Sequence, residues 1–221
     1  MRPEPDKLDR SGWRLALVGT GGQGVLTAAR VLCDIFVDRN HYVVSGQLHG
    51  MAQRGGSVLS TVLVDAGISP VIPNGKADIV VGLEPVETTR ALPLMSPRTT
   101  VFMNTAPVVP YVLGQRHVLK QGHDEYPDIG DLLKCVDDAC GNLYSFDATQ
   151  CALHIGSLKS LNMVMLGCLL GAGLLPCPAN EFWSAAEKRI PSALRTVNTN
   201  AFARGVELAK EFHLSETGAS N

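Results

Sequence analysis

The 221-residue sequence predicts an α/β fold, a Rossmann-like and mainly parallel sheet with flanking helices and a helical C-terminal part. A largely apolar run at residues 13–18 enters a turn that holds four glycines, and a segment of helical periodicity leaves it. Further β-branched runs alternate with helical stripes as far as residue 146, and from about residue 158 the pattern is helical only. Such alternation, followed by helices, is typical of parallel sheets that helices cover.

The first strand and the first helix come directly before and after the glycine turn. Residues 13–18 are apolar enough to be buried on both faces of a sheet. Val25, Leu32 and Phe36 share one face of the helix that follows. Residues 41–45 are rich in β-branched side chains and predict a second strand, so this region predicts a β-turn-α-β unit with a right-handed crossover.

The later elements follow from the same periodicities. Residues 46–57 show neither strand alternation nor a clean helical stripe, and we expect a polar loop there with one helical turn near Met51. Further strands are predicted at residues 58–64, 78–83, 99–104 and 143–146. Further helices are predicted at residues 85–92, 126–139, 161–170, 178–189 and 192–212, with Ser160 as an N-cap.

Composition argues against several classes of protein. Apolar residues make up 45% and charged residues 18%, and the formal net charge is -2, which gives no basic field for nucleic acid or for a membrane surface. The most apolar segment, residues 161–175, is too short to span a bilayer. No apolar signal segment precedes Ser11, so we expect a cytoplasmic protein with flexible ends at residues 1–12 and 215–221.

Metal and nucleophile signatures are not visible. The six cysteines form no Cys-x-x-Cys pair, so we expect most of them to be buried thiols in a reducing compartment, without a zinc site or an iron–sulfur cluster. The six histidines show no metal spacing, and no Gly-x-Ser-x-Gly elbow accompanies them. The sequence therefore predicts neither a catalytic residue nor a metal ligand.

The glycine turn is the first candidate binding site, and its residues are Gly19, Thr20, Gly21, Gly22, Gln23 and Gly24. Backbone N–H groups at the start of a helix lack intrahelical partners and favour an anion. Gly-x-Gly-x-x-Gly also fits the dinucleotide fingerprint, but the second strand ends at Ser45-Gly46-Gln47 and supplies no acid for a ribose. Glycines of this spacing also allow close strand–helix packing without a ligand.

A second candidate binding segment consists of Gln53, Arg54, Gly55 and Gly56. An arginine followed by two glycines offers a guanidinium fork and open N–H groups to a carboxylate or phosphate. The segment is expected at the strand ends where open α/β sheets bind ligands. A solvated loop arginine beside a turn is the alternative interpretation.

Five motifs in order give the chain a specific resemblance. They are the glycine turn, Gly50-Met51-Ala52-Gln53-Arg54-Gly55-Gly56, Ala77-Asp78 with Glu84-Pro85, Asn162-Met163-Val164-Met165-Leu166-Gly167, and Val197-Asn198-x-x-Ala201-Phe202-x-x-Gly205. The order resembles the gamma-type domain of 2-oxoacid:ferredoxin oxidoreductases. The chain is most similar to the small beta subunit of indolepyruvate:ferredoxin oxidoreductase. The resemblance implies one domain of this type over residues 13–214.

The resemblance implies a subunit and not a complete enzyme. Such complexes convert a 2-oxo acid and coenzyme A (CoA) to an acyl-CoA and CO2, and they pass electrons to ferredoxin. Thiamine diphosphate and iron–sulfur clusters would then belong to a larger alpha subunit, in a complex that could be a dimer of heterodimers. The two glycine segments are expected to face the partner's active site or a CoA phosphate. A free-standing NAD- or nucleotide-binding dehydrogenase and a purely structural interface subunit are the alternatives.

Overall fold

A computed structural model describes residues 12–49, 55–108, 126–175 and 177–218. Within these residues the strands are β1 Trp13–Thr20, β2 Val43–His49, β3 Ser57–Val64, β4 Ile79–Gly82, β5 Thr100–Asn104 and β6 Asn142–Phe146. The helices are α1 Val25–Asp38, α2 Pro85–Arg90, α3 Ile129–Asp137, α4 Ala148–Ile155, α5 Leu161–Gly171, α6 Ala179–Glu187 and α7 Arg195–Gly218. Short 3-10 turns occur at Leu92–Leu94, Leu158–Ser160 and Ser192–Leu194.

The six strands form one sheet in the order β2-β3-β1-β4-β5-β6. The strands β1, β4, β5 and β6 pair in parallel, whereas β3 pairs antiparallel with both β1 and β2. The mainly parallel α/β fold is therefore confirmed. The strands β1 and β2 run in the same direction, as the sequence predicts, but β3 lies between them and they are not neighbours.

The predicted loop at residues 46–57 is partly wrong, because β2 continues through Gly46, Gln47 and Leu48 to His49. A Cβ atom on Gly46 would lie 2.6 Å from Cβ of Pro70, so this glycine marks a close approach to the strand. The predicted helical turn near Met51 lies outside the described residues. In the sheet, β2 is an edge strand, and Leu48 on it is 69% exposed.

The sheet is buried on both faces in its centre. Leu15 and Leu17 of β1 pack into a cluster with α1 and the C-terminal helices, whereas Ala16 and Val18 face a second cluster on the other side. That second cluster includes Val136 of α3 and residues near the first 3-10 turn. This alternation explains why the strand sequence is almost continuously apolar.

The helical C-terminal part contains the predicted helices and one more. The helix α4 begins at Ala148, capped by the carboxylate of Asp147 that accepts from the N–H of Gln150 at 2.7 Å. This helix is not among those predicted from the sequence. Ser160 precedes α5 as predicted, but its hydroxyl donates to the carbonyl of Ser157 at 2.6 Å and makes no cap bond.

The last helix, α7, runs as far as Gly218, beyond the predicted end at residue 212. The predicted end segment 1–12 lies outside the described residues except for Gly12, and residues 219–221 lie outside as well. The domain boundaries at residues 13 and 214 stay predictions.

Candidate functional site

The glycine turn connects β1 to α1 at the carboxyl end of the central strand. The strand ends at Thr20, and α1 begins at Val25 with Gly24 as its N-cap at φ 81°. Gly22 has φ 105°. Residues with a side chain rarely adopt either backbone conformation, so the turn geometry itself explains why these two residues are glycines.

Gln23 fixes the turn to the neighbouring strand. Its Oε1 accepts from the N–H of Thr20 at 2.7 Å and from the Thr20 hydroxyl at 3.1 Å. Its Nε2 donates to the carbonyl of Leu83 at 2.8 Å. The side chain of this predicted site residue is therefore engaged within the protein, where it holds the turn against the end of β4.

The turn lies directly beside the second glycine segment. The N–H of Gly21 donates to the carbonyl of Gly56 at 2.9 Å, one residue before β3 begins. The structure thus brings together the two segments that the sequence analysis selected separately. Gln53 and Arg54 lie outside the described residues, so the guanidinium of Arg54 stays a prediction.

Part of the turn faces open space. A Cβ atom placed on Gly22 or on Gly55 would meet no atom within 4 Å. Among the described residues, the backbone N–H groups of Gly22, Gly24, Val25 and Leu26 have no acceptor. These four donors lie at the positive end of the α1 dipole, which is an arrangement that favours an anion.

Close packing inside the protein requires glycine at positions 19 and 24. A Cβ atom on Gly19 would lie 2.8 Å from Oε1 of Gln23, and one on Gly24 would lie 2.6 Å from Nδ2 of Asn162. The same Nδ2 donates to the carbonyl of Gly24 at 3.2 Å, which joins α5 to the turn. Two of the four glycines in the turn are thus explained by contacts inside the protein.

A buried carboxylate, Glu84, follows β4 at the same edge of the sheet and is only 2% exposed. Its Oε2 caps α2 by accepting from the N–H of Glu87 at 2.8 Å. Its Oε1 accepts a hydrogen bond from the hydroxyl of Tyr126 and another from the N–H of Val108 at 3.4 Å. Burial, reinforced by the Glu84 carboxylate, raises the pKa of Tyr126 well above its ordinary value.

Glu87 connects the region around Glu84 to the glycine segments. Its Oε2 accepts from the hydroxyl of Ser57 at 2.5 Å, and Ser57 is the first residue of β3 after Gly56. Its Oε1 lies 3.2 Å from Nη1 of Arg90. The polar edge therefore runs without interruption from the Gly55–Gly56 segment to the end of β4.

Asn104, the last residue of β5, joins the end of that strand to the neighbouring elements through side-chain hydrogen bonds. Its Nδ2 donates to the carbonyl of Leu83 at 2.9 Å and to the hydroxyl of Thr149 at 3.0 Å. Its Oδ1 accepts from the N–H of Ala148 at 3.0 Å, so it holds the start of α4. The carbonyl of Leu83 accepts from both Gln23 and Asn104, and this oxygen links the ends of three strands.

The geometry argues against a typical NAD site. In a dinucleotide-binding fold the acid for the ribose follows the strand next to the glycine turn. Here β3 separates β2 from β1, so the end of β2 is two strand spacings, about 10 Å, from the turn. In the part of the chain that the structure describes, no group of three His, Cys, Asp or Glu residues could hold a metal ion.

Sequence reasoning did not assign a site role to Glu84, Glu87, Asn104 or Tyr126. A signal for the first three existed, because Glu84 follows a buried strand, Glu87 lies in the short helix after it and Asn104 is the last residue of the next strand. Tyr126 carried no such signal, because it reaches Glu84 across 42 residues of sequence.

The fold and this edge define a class of protein: an α/β domain with a glycine turn that leaves backbone N–H groups without an acceptor among the described residues, beside a buried carboxylate network. A family model for pyruvate ferredoxin/flavodoxin oxidoreductase matches residues 14–208. The chain therefore belongs to the pyruvate ferredoxin/flavodoxin oxidoreductase family.

Curated relatives agree with this assignment. The indolepyruvate oxidoreductase subunit IorB of Methanothermobacter thermautotrophicus is 33% identical over 199 residues, which cover 90% of this chain and 98% of that protein. IorB of Thermococcus kodakarensis is 31% identical over 201 residues, with 90% and 96% covered. The expectation of a small subunit of a 2-oxoacid:ferredoxin oxidoreductase is confirmed.

Solved structures share the fold. The gamma subunit of a keto/oxoacid ferredoxin oxidoreductase from Geobacter sulfurreducens superposes with a TM-score of 0.61 at 20% identity, covering 90% of this chain and 99% of that chain. A 2-oxoglutarate:ferredoxin oxidoreductase from Magnetococcus marinus superposes with a TM-score of 0.67 at 17% identity. It covers 92% of this chain, which spans only 32% of that longer chain.

The same fold therefore occurs both in a separate subunit and within a longer chain. Among the described residues no helix has the length and apolar character needed to cross a membrane. The predicted resemblance to the gamma-type domain is confirmed by the family match and by these structures.

Proposed function

We propose that the chain is the subunit without clusters in an enzyme that oxidises indolepyruvate or a related arylpyruvate. A larger partner subunit holds thiamine diphosphate and iron–sulfur clusters, and the two subunits assemble as a dimer of heterodimers in the cytoplasm. The names of the relatives, which are 31–33% identical over nearly their whole length, support the choice of substrate. The partner is supported by the occurrence of this domain within a longer oxidoreductase chain.

The reaction joins a 2-oxo acid to coenzyme A, releases CO2 and transfers two electrons to ferredoxin. Thiamine diphosphate supplies the carbanion chemistry when bound in the partner, and the clusters carry the electrons. The described residues of this chain do not fit a cluster, because they contain no group of cysteines placed together. The contribution of this subunit is therefore to bind and to orient.

We infer that the turn contacts a phosphate of coenzyme A. The observation that carries this inference is the pairing of Gly21 with Gly56, which places the open faces of Gly22 and Gly55 at one edge. The unpaired N–H groups from Gly22 to Leu26 would donate to the phosphate oxygens, and the α1 dipole would add about 1 kcal/mol of attraction. Arg54 would supply the matching positive charge.

A purely structural interface is the second candidate function. A Cβ atom on Gly19 or on Gly24 would meet atoms inside the protein at less than 3 Å, so these two glycines would be needed even without a ligand. In that case the open face of Gly22 would contact the partner subunit and not coenzyme A.

Gly22→Ala in the assembled complex separates these two functions. A methyl group there enters the open face and strains a residue at φ 105°. Gly67→Ala is the matched control, because Gly67 also has a positive φ of 132° and open surroundings but lies in the turn after β3. We expect a KM for coenzyme A raised about tenfold in Gly22→Ala, with the KM for the 2-oxo acid unchanged. Equal KM values in both variants would leave only the interface function.

The partner and the substrate are tested by purification from the native source. We expect the chain to purify with a larger brown subunit that contains thiamine diphosphate, and to be inactive when isolated. The kcat/KM values for indolepyruvate, phenylpyruvate, pyruvate and 2-oxoglutarate would then rank the substrates. A preference for pyruvate or 2-oxoglutarate would refute the aromatic assignment and leave the class of enzyme intact.

A further inference from the structure

A polar cavity lies at the opposite end of the sheet from the glycine turn. It encloses about 210 Å³ and is lined by Arg14, Lys76, Asp78, Ser96 and Arg98 together with Gly75 and Ala77. Arg14 is the second residue of β1, and Thr20 ends that strand at the glycine turn. Six residues of extended strand separate the two sites by about 20 Å, so one phosphate group cannot occupy both.

The cavity carries an excess of positive charge. Neither Lys76 nor Arg98 has an acidic partner within 4 Å among the described residues. Arg14 has its charge only partly compensated, because its Nη1 is 3.8 Å from the Oδ2 of Asp78. That same Oδ2 accepts from the backbone N–H of Arg14 at 2.9 Å. Among the described residues, three cations and one carboxylate therefore line the cavity, in a chain whose formal net charge is -2.

The frame of the cavity is held rigidly by hydrogen bonds. The hydroxyl of Thr99 donates to the carbonyl of Ala77 at 2.7 Å and accepts from the N–H of Ser96 at 2.9 Å. The N–H of Ala77 donates to the carbonyl of Leu94 at 2.9 Å. These bonds join the turn before β4 to the turn before β5, so Lys76 and Arg98 project from backbone that is already positioned.

We propose that this cavity binds the phosphate group of a small molecule. Three cations that line one cavity from three separate segments suit a dianion better than a single carboxylate, and a guanidinium can bind phosphate oxygens in pairs. The hydroxyl of Ser96 adds a further donor. The volume holds a phosphate and leaves room for part of the molecule that carries it, and the concave shape suits a small ligand better than a flat protein surface.

The test is isothermal titration calorimetry of the full chain with inorganic phosphate and, separately, with ribose 5-phosphate as a phosphate monoester. We expect saturable binding of both, and weakening by at least about tenfold in the double variant Lys76→Gln, Arg98→Gln. The matched control is Lys210→Gln, which should bind phosphate as the unaltered chain does. Lys210 is an exposed residue of α7, the helix that packs on the same face of the sheet as α1. Circular dichroism of each variant would verify its fold.

Each outcome of this titration decides the proposal. Equal phosphate affinity in the unaltered chain and the double variant would overturn it, because binding would then occur elsewhere, for example at the start of α1. The absence of saturable binding would overturn it as well. Binding of inorganic phosphate without the monoester would overturn the proposal of a phosphorylated small molecule, and binding of the monoester that the double variant weakens would support it.

Discussion

Glycine serves two opposite purposes in the glycine turn and in the pair of helices α5 and α7. In the turn, Gly22 has a positive φ and its missing side chain leaves open space. In the helix pair, a Cβ atom on Gly167 would lie 2.2 Å from the carbonyl oxygen of Phe202, and one on Gly205 would lie 2.1 Å from that of Val164. The first use exposes backbone to a ligand or partner, whereas the second lets two backbones touch.

The difference separates binding from stability. Backbone atoms of a packed helix cannot move aside, so a methyl group between α5 and α7 must push the helices apart. A methyl group at Gly22 meets no atom, so its cost is confined to backbone strain. Substitutions between the two helices should therefore change mainly the free energy of unfolding, whereas substitutions at the open face of the turn should change mainly ligand binding. The predictions below run from the largest to the smallest expected effect on stability.

The largest effect is expected for Gly205→Ala. Helix propensity alone would make this change stabilising by about 1 kcal/mol. We expect the overlap with Val164 to prevail and to lower the free energy of unfolding by about 3 kcal/mol, measured by urea denaturation of the chain. Ala203→Gly, on the exposed side of the same helix, is the control and should cost about 1 kcal/mol. A more stable Gly205→Ala variant would disprove the contact between the helices.

A smaller loss is expected for Gln23→Ala in the glycine turn. The change removes the acceptor for the buried N–H of Thr20 and one donor to Leu83, so unfolding should become easier by about 2 kcal/mol. Gln150→Ala, whose side chain is exposed in the first turn of α4, is the matched control. If the two variants had equal thermal midpoints, Gln23 would not hold the turn.

Gly22→Ala should reduce stability still less, by about 1 kcal/mol, because only the positive φ is strained. The same variant is expected to show the largest loss of CoA binding. Comparing its denaturation midpoint with its CoA titration in the complex tests whether this turn binds or merely folds. A loss of stability as large as that of Gly205→Ala would indicate that Gly22, like Gly205, is required for close packing inside the protein.

The smallest effect concerns alkaline pH. The pKa of Tyr126 is raised in the folded protein from its ordinary value of 10.0, so the unfolded chain loses this proton first. The contribution of Tyr126 to stability is complete below pH 10 and declines as pH rises further towards the folded pKa. Tyr126→Phe should flatten this decline in urea titrations. Tyr42→Phe, at a tyrosine that is 58% exposed, should retain it.

Local periodicity predicted most of the elements, because strand burial and helical stripes are properties of short segments. The run at residues 13–18 and the helix after the glycine turn were predicted correctly. The position of β3 between β1 and β2 was not, since strand order depends on contacts between distant segments. The predicted edge strand β2 ends too early because glycine is typical of loops. In the structure Gly46 continues the strand, and its close contact with Pro70 requires a glycine there.

The candidate site was predicted in part for the same reason. The glycine motif is local, so its residues could be selected from the sequence alone. The carboxylate network could not, because Ser57 meets Glu87 across 30 residues and Tyr126 meets Glu84 across 42. The structure also gives the side chain of Gln23 an internal hydrogen bond that no spacing could indicate, because its acceptor, the carbonyl of Leu83, is 60 residues away and directly follows β4.

The hydrogen bond between Gly21 and Gly56 makes one amide proton a natural reporter. In a sample labelled with ¹⁵N at its glycines, the Gly21 amide should exchange slowly with solvent, whereas the neighbouring Gly22 amide should exchange quickly. A ligand at the turn would protect the second amide without altering the first. Two resonances would then distinguish an assembled turn from an occupied one, in the intact protein and without any substitution.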